Sequence, residues 1–230
     1  MAYWTLNELR DKIEKDIDLE NDTLVQPTEF IGYVNDAVRE VVDEMQRLGV
    51  EDQYYRIYAP LPLIQGQKEY NFPVDIFKNK ITELIFDASN GDIYDVRKIK
   101  GEDIYKQLHR REYLSSVNDT FMYTIFNFGP TVGDKIRISP TPKKNYPTEL
   151  TIYYIRQAVE LSLTDIGTGL VDCPEEFINY VIAYVKWKCT GKEIGNPMYT
   201  EYKEEAMLMR SKLAQSLTGQ VEDGDNKLPM

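Results

Sequence analysis

The chain has 230 residues and a formal net charge of −11, from 27 lysines and arginines against 38 aspartates and glutamates. The acidic excess lies at the two ends, since residues 1–52 carry 5 basic against 14 acidic side chains, residues 53–160 carry 15 against 13, and residues 161–230 carry 7 against 11. Tight binding to a phosphate backbone depends on Lys and Arg displacing counterions, so this charge argues against a general DNA-binding protein.

Two helices are predicted in the first 52 residues. Thr5 fits an N-cap with Glu8 three residues later, and apolar residues then follow at three- and four-residue spacing. The second helix begins at Pro27 or Thr28 and ends before Gly49, a natural residue for a helix C-terminus. One face of this helix is apolar: Phe30, Ile31, Val34, Ala37, Val38, Val41, Met45 and Leu48.

Residues 53–160 predict a β-rich insert, because short β-forming runs alternate with turn signals. The clearest hairpin is "ITELIFDASNGDIYDVRKI", in which Asn90-Gly91 favours a type I′ turn. The other strand candidates are "QKEYNF", "FMYTIFNF", "KIRIS" and "ELTIYYIR", and one helix is predicted near "GEDIYKQLHRREY". We expect an antiparallel sheet, a sandwich or a small barrel.

The last part of the chain returns to helix. A linker over residues 161–171 leads to a helix from Pro174 to about Glu193 and another from about Met198 to Leu217, and residues 219–230 are expected to form a flexible tail. The fold class is therefore α+β. Residues 1–52 and 172–218 are predicted to pack as an antiparallel helical bundle from which the β insert projects.

No residue pattern predicts catalysis, a metal site or a cofactor. His109 is the only histidine, and it lies on a predicted charged helix. A helix between Cys173 and Cys189 would separate them by roughly 24 Å, too far for a disulfide, so both are interpreted as packing residues. An enzyme using carboxylates of the β insert would need two facing acids, and no such pair is evident. With no signal peptide and no membrane-length apolar run, we expect a soluble protein in a reducing compartment.

The helix "PEEFINYVIAYVKWKC" is apolar or aromatic over roughly 220° of arc. Only Glu175, Asn179, Ala183 and Lys186 form a polar or small stripe. This pattern leaves two interpretations open. Either the helix is central in the core of one chain, or one of its flanks is covered by another subunit.

Several segments in order resemble the head-to-tail adaptor proteins (connector, or tail accessory, proteins) of tailed bacteriophages, especially the short-tailed ones. The segments are "FIGYVNDAVREVVDEM", "EYNFPVDIF", "KIRISPTP", "ELTIYYIR", "DCPEEFINYVIAYVKWK" and "YKEEAMLMRSKL". Together they cover most of the chain. Their order and spacing carry the resemblance.

The resemblance implies a non-enzymatic structural protein of the virion neck that is assembled in the host cytoplasm. Such adaptors form a ring, usually of twelve copies, which joins the portal protein to tail or nozzle components and encloses the DNA channel. By position, the subunit interface would use Tyr180, Tyr184 and Trp187, and the portal would be contacted by the end of the chain: Val221, Lys227, Leu228, Pro229 and Met230. No membrane contact, cofactor or metal is implied. Another neck, stopper or tail-completion protein of the virion is the alternative.

Overall fold

The computed structural model describes residues 4–17, 25–88, 92–99, 121–127, 134–166, 168–193 and 196–225, with the backbone alone for residues 52, 127 and 219–225. The chain divides into two compact units. We call Met1–Tyr54 with Ala158–Met230 the helical unit and Tyr55–Gln157 the β unit. Helices and β-sheets occur in separate units, which confirms the α+β class.

The first two helices begin and end where their local signals predict. α1 spans Leu6–Asp16. The Glu8 N–H donates to Thr5 Oγ1 at 3.2 Å, and the Thr5 N–H donates to Glu8 Oε2 at 2.9 Å, so the predicted capping box is present. α2 spans Pro27–Leu48, and Gly49 ends it with a φ of 73°, a left-handed conformation that glycine adopts without a steric penalty.

α3 is shorter than predicted. It spans Ile178–Thr190, because the residues before it, Glu175–Phe177, form a 3₁₀ turn and Pro174 has an extended backbone. At its end, the Thr190 hydroxyl donates to the Lys186 carbonyl at 3.0 Å. The predicted range of Pro174 to Glu193 therefore contains a 3₁₀ turn, a helix and a short turn.

α4 is longer than predicted. It spans Met198–Asp225 and continues through Gly219, past the predicted end at Leu217. An isolated glycine costs a helix only about 1 kcal/mol relative to alanine, so it need not end one. Residues 219–225 are thus helical, whereas the sequence assigned them to a flexible tail, and residues 226–230 lie outside the described part of the chain.

α3 is the central helix of the helical unit, since it contacts α1, α2 and α4. Ala183 and Lys186, predicted on a polar stripe, are both buried. Two carboxylates compensate the charge of the buried Lys186 ammonium: its Nζ lies 2.7 Å from Asp16 Oδ2 of α1 and 3.9 Å from Glu205 Oε2 of α4. Most of the wide apolar arc is buried within its own chain, whereas Trp187 is half-buried, so cover of one flank by another subunit stays a prediction.

The segment 161–171, predicted as a linker, lies within the helical unit and is hydrogen-bonded to the beginning of the chain. The Leu6 N–H donates to the Gly169 carbonyl at 2.8 Å, and the Val171 N–H donates to the Trp4 carbonyl at 2.9 Å. Val171 is buried. The N-cap region of α1 is therefore held by a segment more than a hundred residues later in the chain.

Two four-stranded sheets form the β unit. In the first sheet the strand order is β1-β8-β3-β4, all antiparallel: β1 Arg56–Pro60, β3 Ile76–Asp87, β4 Ile93–Asp95 and β8 Leu150–Arg156. In the second sheet the order is β2-β7-β6-β5: β2 Glu69–Tyr70, β5 Arg97–Lys98, β6 Met122–Asn127 and β7 Asp134–Ser139. Both sheets contribute to one core that includes Leu84, Phe86, Tyr123, Ile136, Ile138 and Ile152.

The predicted strands are present, with two differences. β1 was not among the predicted strands; it is an edge strand of its sheet, where a proline such as Pro60 is tolerated. The pairing of β5 with β6 is parallel, so the expectation of antiparallel pairing throughout is wrong. The connection between them, residues 99–121, is long enough for the crossover that parallel pairing requires.

β3 pairs with β4 as the predicted hairpin, with Phe86 opposite Tyr94. Its turn at Asn90-Gly91 lies outside the described residues, as do the helix predicted over residues 101–113 and His109. β3 also carries an irregularity at Lys78 and Asn79, which have positive φ angles of 42° and 57°. Asparagine tolerates this conformation better than lysine, so Lys78 is the more strained of the two.

Candidate functional site

An open groove of about 320 Å³ lies on the helical unit. Three aromatic residues line it: Tyr33 of α2, Trp187 of α3 and Tyr199 of α4. Gly191, in the turn after α3, allows the Tyr199 ring to come close, because a Cβ atom at this position would lie 3.1 Å from Tyr199 Cε2. A groove of this size and composition can take apolar side chains or a small ligand.

Two lysines border the groove, and they differ in their partners. The Lys192 ammonium forms an ion pair with the Glu29 carboxylate, which raises the pKa of Lys192 and lowers that of Glu29. The Lys188 ammonium lies 4.2 Å from the centre of the Trp187 ring and 5.1 Å from that of Tyr184. Within the described residues Lys188 has no carboxylate partner, so the groove carries one uncompensated positive charge.

The three residues predicted at a subunit interface lie at different depths. Tyr180 is buried and its hydroxyl donates to Glu40 Oε2 of α2 at 2.5 Å; burial, reinforced by this carboxylate, raises its pKa. Tyr184 is also buried, with its ring 5.6 Å from that of Trp187. Trp187 is half-buried and is the one of the three that lines the groove. Their role in subunit contacts stays a prediction.

The residues predicted to contact the portal lie at the end of the described chain or beyond it. Val221 is on α4, where only the backbone is described, and Lys227, Leu228, Pro229 and Met230 lie outside the described residues. Portal contact by this segment therefore stays a prediction.

The groove includes residues that sequence reasoning did not select: Tyr33, Lys188 and Tyr199. Tyr33 is off the apolar face of α2, and Tyr199 is in the first turn of α4, so helix periodicity does not connect them. One sequence feature distinguishes Lys188, because this lysine interrupts the apolar arc of α3. Only the packing of three helices brings these residues together.

The two cysteines lie in the interior. Cys173 and Cys189 are free and buried, in agreement with their interpretation as packing residues. Burial raises the pKa of each thiol to about 12, so neither is a reactive thiolate at neutral pH. Among the described residues, no group of His, Cys, Asp and Glu side chains is arranged to hold a metal ion.

No helix within the described ranges is both long and apolar enough to cross a membrane. A comparison with curated proteins found no match to the chain. A family model described as SU10 adaptor protein matches residues 4–227, nearly the whole chain, and supports a bacteriophage adaptor-type protein with a structural role. The chain therefore belongs to the SU10 adaptor protein family.

Proposed function

We propose that this chain is a structural protein of the virion neck of a short-tailed bacteriophage. It assembles into a homo-oligomeric ring of twelve copies that connects the portal protein to the tail and lines the DNA channel. The observation that carries the proposal is the family match over residues 4–227, which includes both units.

The charge of the helical unit suits a channel wall. The first 52 residues carry 14 acidic against 5 basic side chains. Asp11 of α1 and Asp43 of α2 are exposed, and neither has a cationic partner within the described part of the chain. A wall of the same sign of charge as DNA does not bind the phosphate backbone, so DNA can pass without being held.

The two units take different roles in this proposal. The helical unit, as an antiparallel bundle of the N- and C-terminal helix pairs, forms the wall of the ring. The β unit contacts tail or nozzle components. The end of the chain, from Val221 to Met230, contacts the portal.

Mass photometry of the full chain, with and without its portal protein, tests the proposal. We expect monomers or small oligomers of the chain alone, and a single complex with the mass of a portal plus a ring when portal is present. An unrelated protein of similar size in place of the portal should give no complex. A chain that remains monomeric with portal under all conditions would refute the proposal.

A further inference from the structure

A second surface of the helical unit carries exposed apolar side chains beside a carboxylate. Met207 and Leu208 of α4 are 58% and 54% exposed. Glu204 is also exposed and precedes them by three and four residues, so the three side chains lie on one face of the helix. We call this surface the α4 patch. The Glu204 carboxylate has no cationic partner within the described residues.

The α4 patch and the groove are separate surfaces of the same chain. Tyr199 is the only residue of α4 among those that line the groove. Met207 lies eight residues later, roughly 12 Å further along the helix axis. Each copy of the chain therefore presents both a groove and a patch.

The two surfaces are complementary in shape and in charge. The groove is concave, aromatic and carries the unpaired Lys188 ammonium, whereas the patch is convex, aliphatic and carries the unpaired Glu204 carboxylate. Methionine adapts its shape readily and makes favourable contacts with aromatic rings. Opposite charges brought together from two exposed surfaces direct the orientation of docking.

We infer that the groove of one copy binds the α4 patch of the neighbouring copy. In this contact Lys188 faces the neighbouring copy's Glu204. The rings of Trp187 and Tyr199 cover the neighbouring copy's Met207 and Leu208. This inference rests on the proposed ring. Contact between two different surfaces is heterologous, and repeated heterologous contacts form a ring when the rotation between copies closes. It places the subunit contact at the outer end of the aromatic cluster, at Trp187, rather than at the buried Tyr180 and Tyr184.

Cross-linking between two single-cysteine variants tests the contact directly. Lys192→Cys places a thiol beside the groove and Ser211→Cys places one beside the patch, and both leave Lys188, Glu204, Met207 and Leu208 in place. The native cysteines are buried, so the unmodified chain is the control for background reaction. With portal present and a short bismaleimide reagent, we expect covalent dimers in the mixture of the two variants and none in either variant alone.

The outcomes separate this inference from the proposed function. Rings without covalent dimers in the mixture would overturn the contact and leave the ring intact. Dimers in one variant alone would show a symmetric contact and would also overturn it. Absence of both rings and dimers, with folded protein and active portal, would overturn the proposed ring and this contact with it.

A charge exchange gives an independent test. Lys188→Glu alone and Glu204→Lys alone should each lower the yield of rings about tenfold, because like charges then face each other. The chain carrying both changes should recover most of the yield, which a folding defect would not do. Lys144→Glu is the matched control, since Lys144 also lies over an aromatic ring, that of Tyr146 at 5.0 Å, but belongs to the β unit. Failure of the double variant to recover would contradict the contact.

Discussion

The interior of the helical unit contains charged groups, whereas the interior of the β unit is built around aromatic rings. Among the described residues, the buried charged side chains are Glu51 and Lys186, and both belong to the helical unit. In the β unit, the rings of Phe86, Phe121 and Tyr146 meet edge to face, with centroids 4.9 to 5.7 Å apart. The stability of the first unit should depend on charge and pH, and that of the second on filled volume.

The two units also differ in how the chain forms them. The β unit is one continuous segment, so its strands pair within about a hundred residues of each other. The helical unit combines two distant segments, and Lys186 of the second pairs with Asp16 of the first. Because an ion pair is directional, we expect this contact to help align the two segments.

The largest effect is expected from Phe86→Ala in the β unit. Phe86 is 1% exposed and its ring contacts two other aromatic rings, so the cavity should lower the free energy of unfolding by about 4 kcal/mol. Tyr58→Ala is the control, because Tyr58 is 70% exposed and its loss should cost at most about 1 kcal/mol, from its cross-strand contact with Tyr153. Hydrogen exchange of β8 peptides measures both. Similar losses in the two variants would contradict an aromatic core.

Lys186→Met should be the next largest change, in the helical unit. It leaves Asp16 without its closest cation, and because Asp16 is partly exposed we expect a loss of about 2 kcal/mol rather than the full cost of a buried pair. Lys12→Met, which removes the more exposed partner of Asp16, should cost about 0.5 kcal/mol. Urea unfolding followed by tryptophan fluorescence reports on this unit, because Trp4 and Trp187 are the only tryptophans and both belong to it.

The same variant should change the dependence of stability on pH. The hydrogen bond from Lys186 is the main cause that holds the pKa of Asp16 below its ordinary 3.8. A lowered carboxyl pKa contributes stability that is complete above the unfolded-state pKa and is lost as the pH falls through the lowered value. The unmodified chain should therefore lose more stability than Lys186→Met between about pH 5 and about pH 3. Parallel losses in the two proteins would contradict this role of the ion pair.

The smallest effect is expected at the irregularity of β3, and it should be a gain. Lys78 has a φ of 42°, a conformation that is strained for a residue with a Cβ atom. Lys78→Gly should raise the stability of the β unit by roughly 0.5 kcal/mol, since relief of strain exceeds the entropic cost of glycine. Asn79→Gly should not gain, because it removes the hydrogen bond from Asn79 to Asp134. Thermal unfolding followed by circular dichroism compares the two variants.

Features set by neighbouring residues in the sequence were predicted, and features set by distant residues were not. The capping box of Thr5 and Glu8 and the left-handed Gly49 are local, so the sequence indicates them directly. The parallel pairing of β5 with β6 depends on a crossover, and no local pattern specifies its direction. The burial of Lys186 depends on Asp16, which is remote in sequence, so the helix wheel placed this lysine on a polar stripe.

The candidate site likewise combines features that were predicted from local sequence with features that depend on distant residues. The aromatic flank of α3 was predicted, but burial of Tyr180 and Tyr184 by their own chain leaves only Trp187 at the groove. Tyr33 and Tyr199 join it through helix packing, which periodicity within a single helix does not contain. The acidic excess at the two ends of the chain was visible from composition alone, because net charge does not depend on the fold.

A cryo-electron microscopy map of the neck of the phage particle is the most direct test of the proposed ring. We expect a ring of twelve copies of this chain between the portal and the tail, with the helical unit forming the wall and acidic side chains facing the DNA channel. Density for the chain at another position in the particle, or as isolated copies that do not form a ring, would contradict it.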